Sequence, residues 1–73
     1  MSEEKLKEHM RSGRSVCYVR REVSGSYKLM CPVVSVIHKI INGTEVLCAE
    51  LSMRGNSVMV VRAEDVCEVG GTV

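Results

Sequence analysis

Residues 33–69 read VVSVIHKIINGTEVLCAELSMRGNSVMVVRAEDVCEV, and their alternation of apolar runs and turn residues decides the fold class. The pair Asn42-Gly43 separates two apolar runs, and Asn-Gly accepts the positive φ angles of a type I′ hairpin turn. Further turn residues occupy 54–56 and 63–65. The stretch therefore predicts a succession of short antiparallel strands.

The sequence before this stretch begins with a predicted helix at about residues 3–11. Ser2 is a suitable N-cap, and Glu3 and Glu4 lie in the first turn, where acidic side chains interact favourably with the helix dipole. Gly13 is suited to end the helix. We expect this helix to pack on one end of the sheet, with a frayed arm as the alternative.

A strand at 15–23, a turn at 24–26 and a resumed strand at 27–31 follow the helix. Pro32 cannot donate a hydrogen bond to a strand ladder, so it predicts a bulge, an edge or a break before the strand at 33–41.

The sequence does not decide which face of the 33–41 strand is buried, because two sets of alternating residues could face the core. These sets are Val34, Val36 and Ile40, or Val33, Ile37 and Ile41. The strand at 57–62 is also apolar on both faces, with Val58 and Val60 on one and Met59 and Val61 on the other. Strands with two apolar faces favour a small closed or partly open barrel whose outer face meets the helix or a partner.

Residues 57–69 resemble the end of an SH3-like small barrel, in which the penultimate strand passes through one 3₁₀ turn into a short last strand. Residues 33–51 are similar to the preceding meander in Tudor and KOW-type members. The resemblance implies a mainly β (α+β) fold, a small SH3-like antiparallel barrel of four or five strands with one N-terminal helix.

A chain of 73 residues and 8.1 kDa has room for one domain. We expect an N-terminal helix or arm over 1–13, a single barrel domain over 14–69 and a flexible tail over 70–73. A hydrophobic fraction of 45% and a mean hydropathy of +0.06 are typical of a folded domain. Its core is thin, because small domains bury a smaller share of their surface, and dimerisation would add burial.

The N-terminus is acidic where a secretory signal would be basic. The longest nearly apolar stretch, 29–37, is interrupted by Pro32 and Ser35 and is far shorter than the ~18 residues of a membrane span. We therefore expect a cytoplasmic protein with no membrane partner.

Four cysteines are spread along the chain without any Cys-x-x-Cys pair, which is the usual spacing of a zinc site. They are Cys17, Cys31, Cys48 and Cys67, and each lies in a strand-like apolar run. We expect four reduced, core-filling thiols with no metal and no cofactor. A disulfide pair in a secreted protein and an assembled four-thiolate metal site are the alternatives.

The sequence shows no convincing catalytic motif. His38 follows Cys31 by seven residues, but a Cys–His dyad needs a third group that no spacing identifies. Glu64 and Asp65 are adjacent, which is typical of a polar turn. We therefore expect a protein that is not an enzyme and has no catalytic residues.

Aromatic residues make up 3% of the chain, namely Tyr18 and Tyr27. Grooves for proline-rich peptides, methyl-lysine cages and base-stacking platforms all need more aromatic surface. We therefore predict an interaction module that binds a protein partner or self-associates as a homodimer. The apolar residues expected to form its contact surface are Met59, Val61, Ile37 and Ile41.

The alternative function is nucleic-acid binding through phosphate contacts, since residues 14–43 carry five basic residues and one acidic residue. The candidate residues are Arg14, Arg20, Arg21, Lys28 and Lys39. Arg20 and Arg21 are neighbours in a predicted strand and so point to opposite faces, which weakens a single patch. We favour the interaction module.

Overall fold

The computed structural model describes residues 1–69, where one α-helix precedes five β-strands. The elements are α1 (Glu3–Ser12), β1 (Ser15–Glu22), β2 (Gly25–Ile41), β3 (Thr44–Ser52), β4 (Val58–Arg62) and β5 (Val66–Glu68). Two 3₁₀ helices, Arg54–Asn56 and Ala63–Asp65, lie on either side of β4. The predicted flexible tail, residues 70–73, lies outside the described residues.

The five strands form one antiparallel sheet in the order β4-β3-β2-β1-β5. This confirms the prediction of a mainly β fold with one N-terminal helix. No ladder joins β4 to β5 within residues 1–69, so the sheet is open along these two strands. Barrel closure and the SH3-like classification stay predictions.

Helix α1 forms where the capping residues predicted it. The Lys5 amide donates to Ser2 Oγ at 3.3 Å, and Gly13 has a φ of 73°, the left-handed conformation of a helix C-cap. Leu6 is fully buried, so the helix packs on the sheet through this side chain, and Met10 packs partly buried against the same core. Buried His9 is held by a hydrogen bond between its Nδ1 and the Lys5 carbonyl, 2.8 Å apart.

The hairpin at Asn42-Gly43 is confirmed. Asn42 has a φ of 51° and Gly43 a φ of 79°, as a type I′ turn requires. The turn directly joins the paired residues Ile41 and Thr44.

Strand β2 does not break at Pro32 but runs through it for 17 residues. Pro32 lies opposite Ser15, at the end of the β1 ladder, and the β3 ladder begins one residue later with Val33. A missing backbone N–H is tolerated where one ladder gives way to the next. A shift in register between Val33 and Ser35 then marks a β-bulge.

The bulge explains why the periodicity of residues 33–41 fitted two faces. One extra residue reverses the alternation, so Val33 before it and Val36 after it both pack against the same core. Each of the two competing sets was therefore partly wrong.

The core lies between the inner face of the sheet and helix α1. Its buried members are Leu6, Val16, Cys31, Val33, Ala49, Leu51, Val61, Ala63 and Val66.

Candidate functional site

Strand β4 presents different apolar residues to the core and to solvent. Val61 lies opposite Ala49 and Met59 lies opposite Leu51, so both face inward, and Val61 is only 7% exposed. Val58 and Val60 point the other way and are 53% and 41% exposed.

Ile37 and Ile41 alternate with the inward-facing Val36, and so lie on the outer face of the sheet, each partly buried. The four residues predicted to form one contact surface are therefore divided. Ile37 and Ile41 share the outer face with Val58 and Val60, whereas Met59 and Val61 belong to the core side.

We call the exposed pair Val58 and Val60 the outer β4 surface. In the β3–β4 ladder, Val60 lies opposite Glu50 and Val58 opposite Ser52. The Glu50 carboxylate accepts a hydrogen bond of 3.0 Å from the Ser35 hydroxyl, which fixes a charged group beside the exposed valines. The surface is thus apolar at the sheet edge and polar one strand inward.

The free edge of β4 adjoins this surface. Among residues 1–69, β4 pairs only with β3, so along its other side the backbone N–H and C=O groups have no ladder partner. Within the same described residues the outer edge of β5 is also unpaired, but this strand has three residues against the five of β4. An unpaired edge carrying apolar side chains is a template for pairing with another strand.

The five basic residues proposed for nucleic-acid binding are not brought to one place. Arg21 and Lys28 share the outer face of the β1–β2 hairpin, because Lys28 pairs with Val19, two residues before Arg21. Arg20 points to the other face, where its guanidinium lies 5.9 Å from the centre of the Tyr27 ring.

Two of these five cations also have acidic partners. Arg14 Nη2 lies 3.3 Å from Glu8 Oε1, and Arg20 Nε lies 3.4 Å from Glu22 Oε1. Lys39 lies in the half of β2 that pairs with β3, away from the β1–β2 hairpin that carries Arg21 and Lys28.

A polar cluster that the sequence analysis missed joins the helix to the sheet. His38 Nε2 lies 3.2 Å from Glu3 Oε1 on α1, and His38 Nδ1 lies 2.9 Å from Glu45 Oε1 on β3. Both ring nitrogens therefore face a carboxylate, and only the doubly protonated imidazolium can donate to both.

The two carboxylates raise the pKa of His38 above its ordinary value of 6.5. Glu3 is the larger cause although Glu45 lies nearer, in keeping with the greater exposure of the Glu45 side chain, 63% against 40%. In turn, Lys7 first and His38 second lower the pKa of Glu3 below 4.5.

These pKa shifts give the cluster a defined pH window. Protonation of His38 stabilises the fold fully below pH 6.5, and the contribution is lost as the pH rises through the raised pKa of His38. Ionised Glu3 contributes above pH 4.5, and this contribution is lost as the pH falls through its lowered pKa. Both contributions are fully present between pH 4.5 and pH 6.5, so the contact between helix and sheet is strongest in this range.

We expect Glu3→Gln to lower the pKa of His38 more than Glu45→Gln does, because Glu3 contributes more to the shift. An NMR titration of the His38 ring protons measures this directly. Glu4→Gln, on the exposed side of the same helix turn, is the matched control and should leave the titration unchanged. A His38 midpoint that is the same in all three variants would contradict the cluster.

Three of the four cysteines are buried, as predicted, but Cys67 is exposed. The prediction of four core thiols was wrong at Cys67 because β5 has only three residues, and of these Val66 takes the core position. Among residues 1–69, no group of three His, Cys, Asp or Glu side chains is arranged to hold a metal ion.

Comparison with protein-family models, curated proteins and solved structures found no match. Within residues 1–69, no helix has the length and apolar character needed to cross a membrane.

Proposed function

We propose that this chain is a non-catalytic interaction module that binds a protein partner, or a second copy of itself, through β4. The observation that carries the proposal is the free β4 edge flanked by the exposed Val58 and Val60. Strand addition to such an edge supplies main-chain hydrogen bonds, and the side chains beside the edge supply specificity.

The apolar surface that the domain leaves exposed is a second argument for association, in addition to the free edge. A 73-residue chain covers a small share of its own apolar surface, and here several large apolar side chains remain exposed. They include Val58 and Val60 on β4 itself. A partner seated along β4 would remove part of this surface from water.

The SH3-like barrel remains part of the proposal. It is supported by the short 3₁₀ helix Ala63–Asp65, which leads from β4 into the three-residue β5. In a partly open barrel of this kind β4 and β5 are not joined by a ladder among the described residues, so the β4 edge stays available to a partner strand.

Val60→Lys tests the association. We expect the average molar mass of the wild-type protein in solution to rise with its concentration as dimers form. The substitution should raise the dissociation constant of the dimer by about ten-fold or more, because an edge lysine opposes strand pairing. Multi-angle light scattering across a concentration series measures both. Val23→Lys is the matched control, since Val23 is fully exposed in the turn after β1 and far along the sheet from β4.

Two results would count against self-association. A wild-type chain that stays monomeric at ~1 mM would leave less than about 4 kcal/mol for pairing. Equal weakening by Val60→Lys and Val23→Lys would point to a general effect of charge. If only self-association fails, the β4 edge should still capture a heterologous partner, which Val60→Lys should release and Val23→Lys should not.

Nucleic-acid binding is the second candidate, favoured by Arg21 and Lys28 on one exposed face. The acidic partners of Arg14 and Arg20 count against a larger phosphate-binding patch. A heparin column separates the two functions, because phosphate-directed binding requires elution above physiological salt. Elution in the wash would exclude this candidate.

A further inference from the structure

Cys17 and Cys67 lie directly opposite each other in the β1–β5 ladder. Directly opposed residues of antiparallel strands have Cα atoms about 4.5 or 5.5 Å apart, depending on the type of pair. Both spacings lie within the roughly 4.4–6.8 Å between the Cα atoms of a disulfide. The backbone therefore already has the separation that a bond between these two sulfurs requires.

The side chains of this pair also share a face. Val16 and Val66 are buried in the core, and each precedes one of the two cysteines, so Cys17 and Cys67 both point to the outer face of the sheet. The thiols are close enough to interact: burial first, and contact with the Cys67 thiol second, raise the pKa of Cys17.

The two thiols differ in their access to solvent. Cys67 is exposed on the edge strand β5, whereas Cys17 is 4% exposed on β1. A small oxidant reaches Cys67 first, and a sulfenic acid formed there would have a thiol beside it. An exposed cysteine next to a resolving cysteine is the usual arrangement of a redox-responsive pair.

The other two cysteines lack such a partner. Cys31 Sγ lies 3.7 Å from Met53 Sδ, and Cys48 Sγ lies 3.8 Å from the Val46 carbonyl oxygen. Both are buried and provide internal controls.

We propose that Cys17 and Cys67 are a peroxide-responsive pair that forms an intramolecular disulfide and ties β5 to β1. The Cys67 thiolate attacks one oxygen of hydrogen peroxide, so an S–O bond forms and the O–O bond breaks. Hydroxide departs, and Cys67 becomes a sulfenic acid. The Cys17 sulfur then attacks the sulfenic sulfur. The S–O bond breaks, the Cys17 proton leaves with the hydroxyl group as water, and the S–S bond forms.

Peptide mapping tests this directly, because cleavage after Lys and Arg places each cysteine in a separate peptide. Cys17 lies in 15–20, Cys31 in 29–39, Cys48 in 40–54 and Cys67 in 63–73. After treatment of the reduced protein with hydrogen peroxide at low protein concentration, we expect a monomer lighter by two hydrogen atoms. Its digest should contain peptide 15–20 linked to peptide 63–73, with the other two thiols still free.

Substitutions distinguish the attacking thiol from the resolving one. In Cys17→Ser, the sulfenic acid on Cys67 has no resolving partner, so trapping by dimedone should rise about ten-fold over wild type. Cys67→Ser alters only the exposed member of the pair and should form no disulfide. Cys31→Ser, the matched control, should give the same linked peptide at the wild-type rate.

Three results would overturn the proposal. They are a link between any other two cysteine peptides, a link between two copies of peptide 63–73 alone, and over-oxidation of Cys67 while Cys17 stays a free thiol. Because Cys67→Ser leaves the core untouched, its loss of the disulfide cannot be attributed to unfolding. None of these measurements depends on association through β4.

Discussion

Replacing Leu51 with alanine should lower the free energy of unfolding by about 3–4 kcal/mol. Leu51 is fully buried on β3, between Val33 of β2 and Met59 of β4. Its removal leaves a cavity bordered by two ladders that cannot collapse without losing hydrogen bonds. Since a domain of this size is stable by only about 4–11 kcal/mol, the loss is a large part of the total.

Urea unfolding followed by circular dichroism measures the effect. Ile40→Ala is the control, since it removes a large aliphatic side chain that is 70% exposed in the neighbouring strand β2. We expect the control to stay within about 1 kcal/mol of wild type. Equal losses in the two variants would contradict the assignment of Leu51 to the core and of Ile40 to the surface.

Leu6→Ala should detach helix α1 from the sheet, at a cost of about 2–4 kcal/mol. Leu6 is the only apolar residue of the helix that is fully buried among residues 1–69, and Met10 packs less completely beside it. A ten-residue helix is marginal in water without such a contact, so we expect it to melt once undocked.

Amide hydrogen exchange separates loss of the helix from loss of the whole fold. Residues of α1 should exchange fast in Leu6→Ala, while the central ladder between β2 and β3 keeps measurable protection. Arg11→Ala, an exposed position in the same helix, is the control and should keep the helix protected. Retained protection of α1 in Leu6→Ala would show that other contacts hold the helix.

Local signals were sufficient to predict the helix and the β2–β3 hairpin, whereas the first turn, predicted at 24–26, lies at 23–24 because Gly25 and Ser26 already pair with β1. Ser2 and Gly13 mark the ends of α1, and Asn42-Gly43 marks the β2–β3 turn, because each of these residues satisfies a backbone requirement at its own position. The continuity of β2 could not be predicted in the same way. Whether Pro32 breaks a strand depends on where two ladders meet, which is a property of the pairing.

The faces of the strands were harder to predict than the strands themselves. On β4, the sequence pattern fits burial of either alternating apolar pair. Only the pairing with Ala49 and Leu51 shows that Val61 and Met59 face the core. Tertiary pairing likewise brings Cys17 to Cys67 across 50 positions of sequence. No periodicity along the chain carries that information.

Of the two carboxylates that contact His38, only one could be placed from the sequence. A hairpin centred on Asn42-Gly43 pairs His38 with Leu47 and so sets Glu45 diagonally across from His38, within reach of its ring. Glu3 belongs to a helix whose position on the sheet depends on Leu6. The carboxylate that shifts the pKa of His38 most was therefore the one that the sequence could not place.

The order of the strands also bears on how the chain folds. Three of the four ladders formed by residues 1–69 join strands that are consecutive in the chain, so β1 through β4 can form by successive closure of short loops. Only the β1–β5 ladder joins distant segments, and closing so long a loop costs more entropy and slows its formation. During synthesis β5 also leaves the ribosome after the other four strands. We therefore expect the four-stranded meander to exist briefly with the β1 edge open, and the arrival of residues 66–68 to be the last step in forming the sheet.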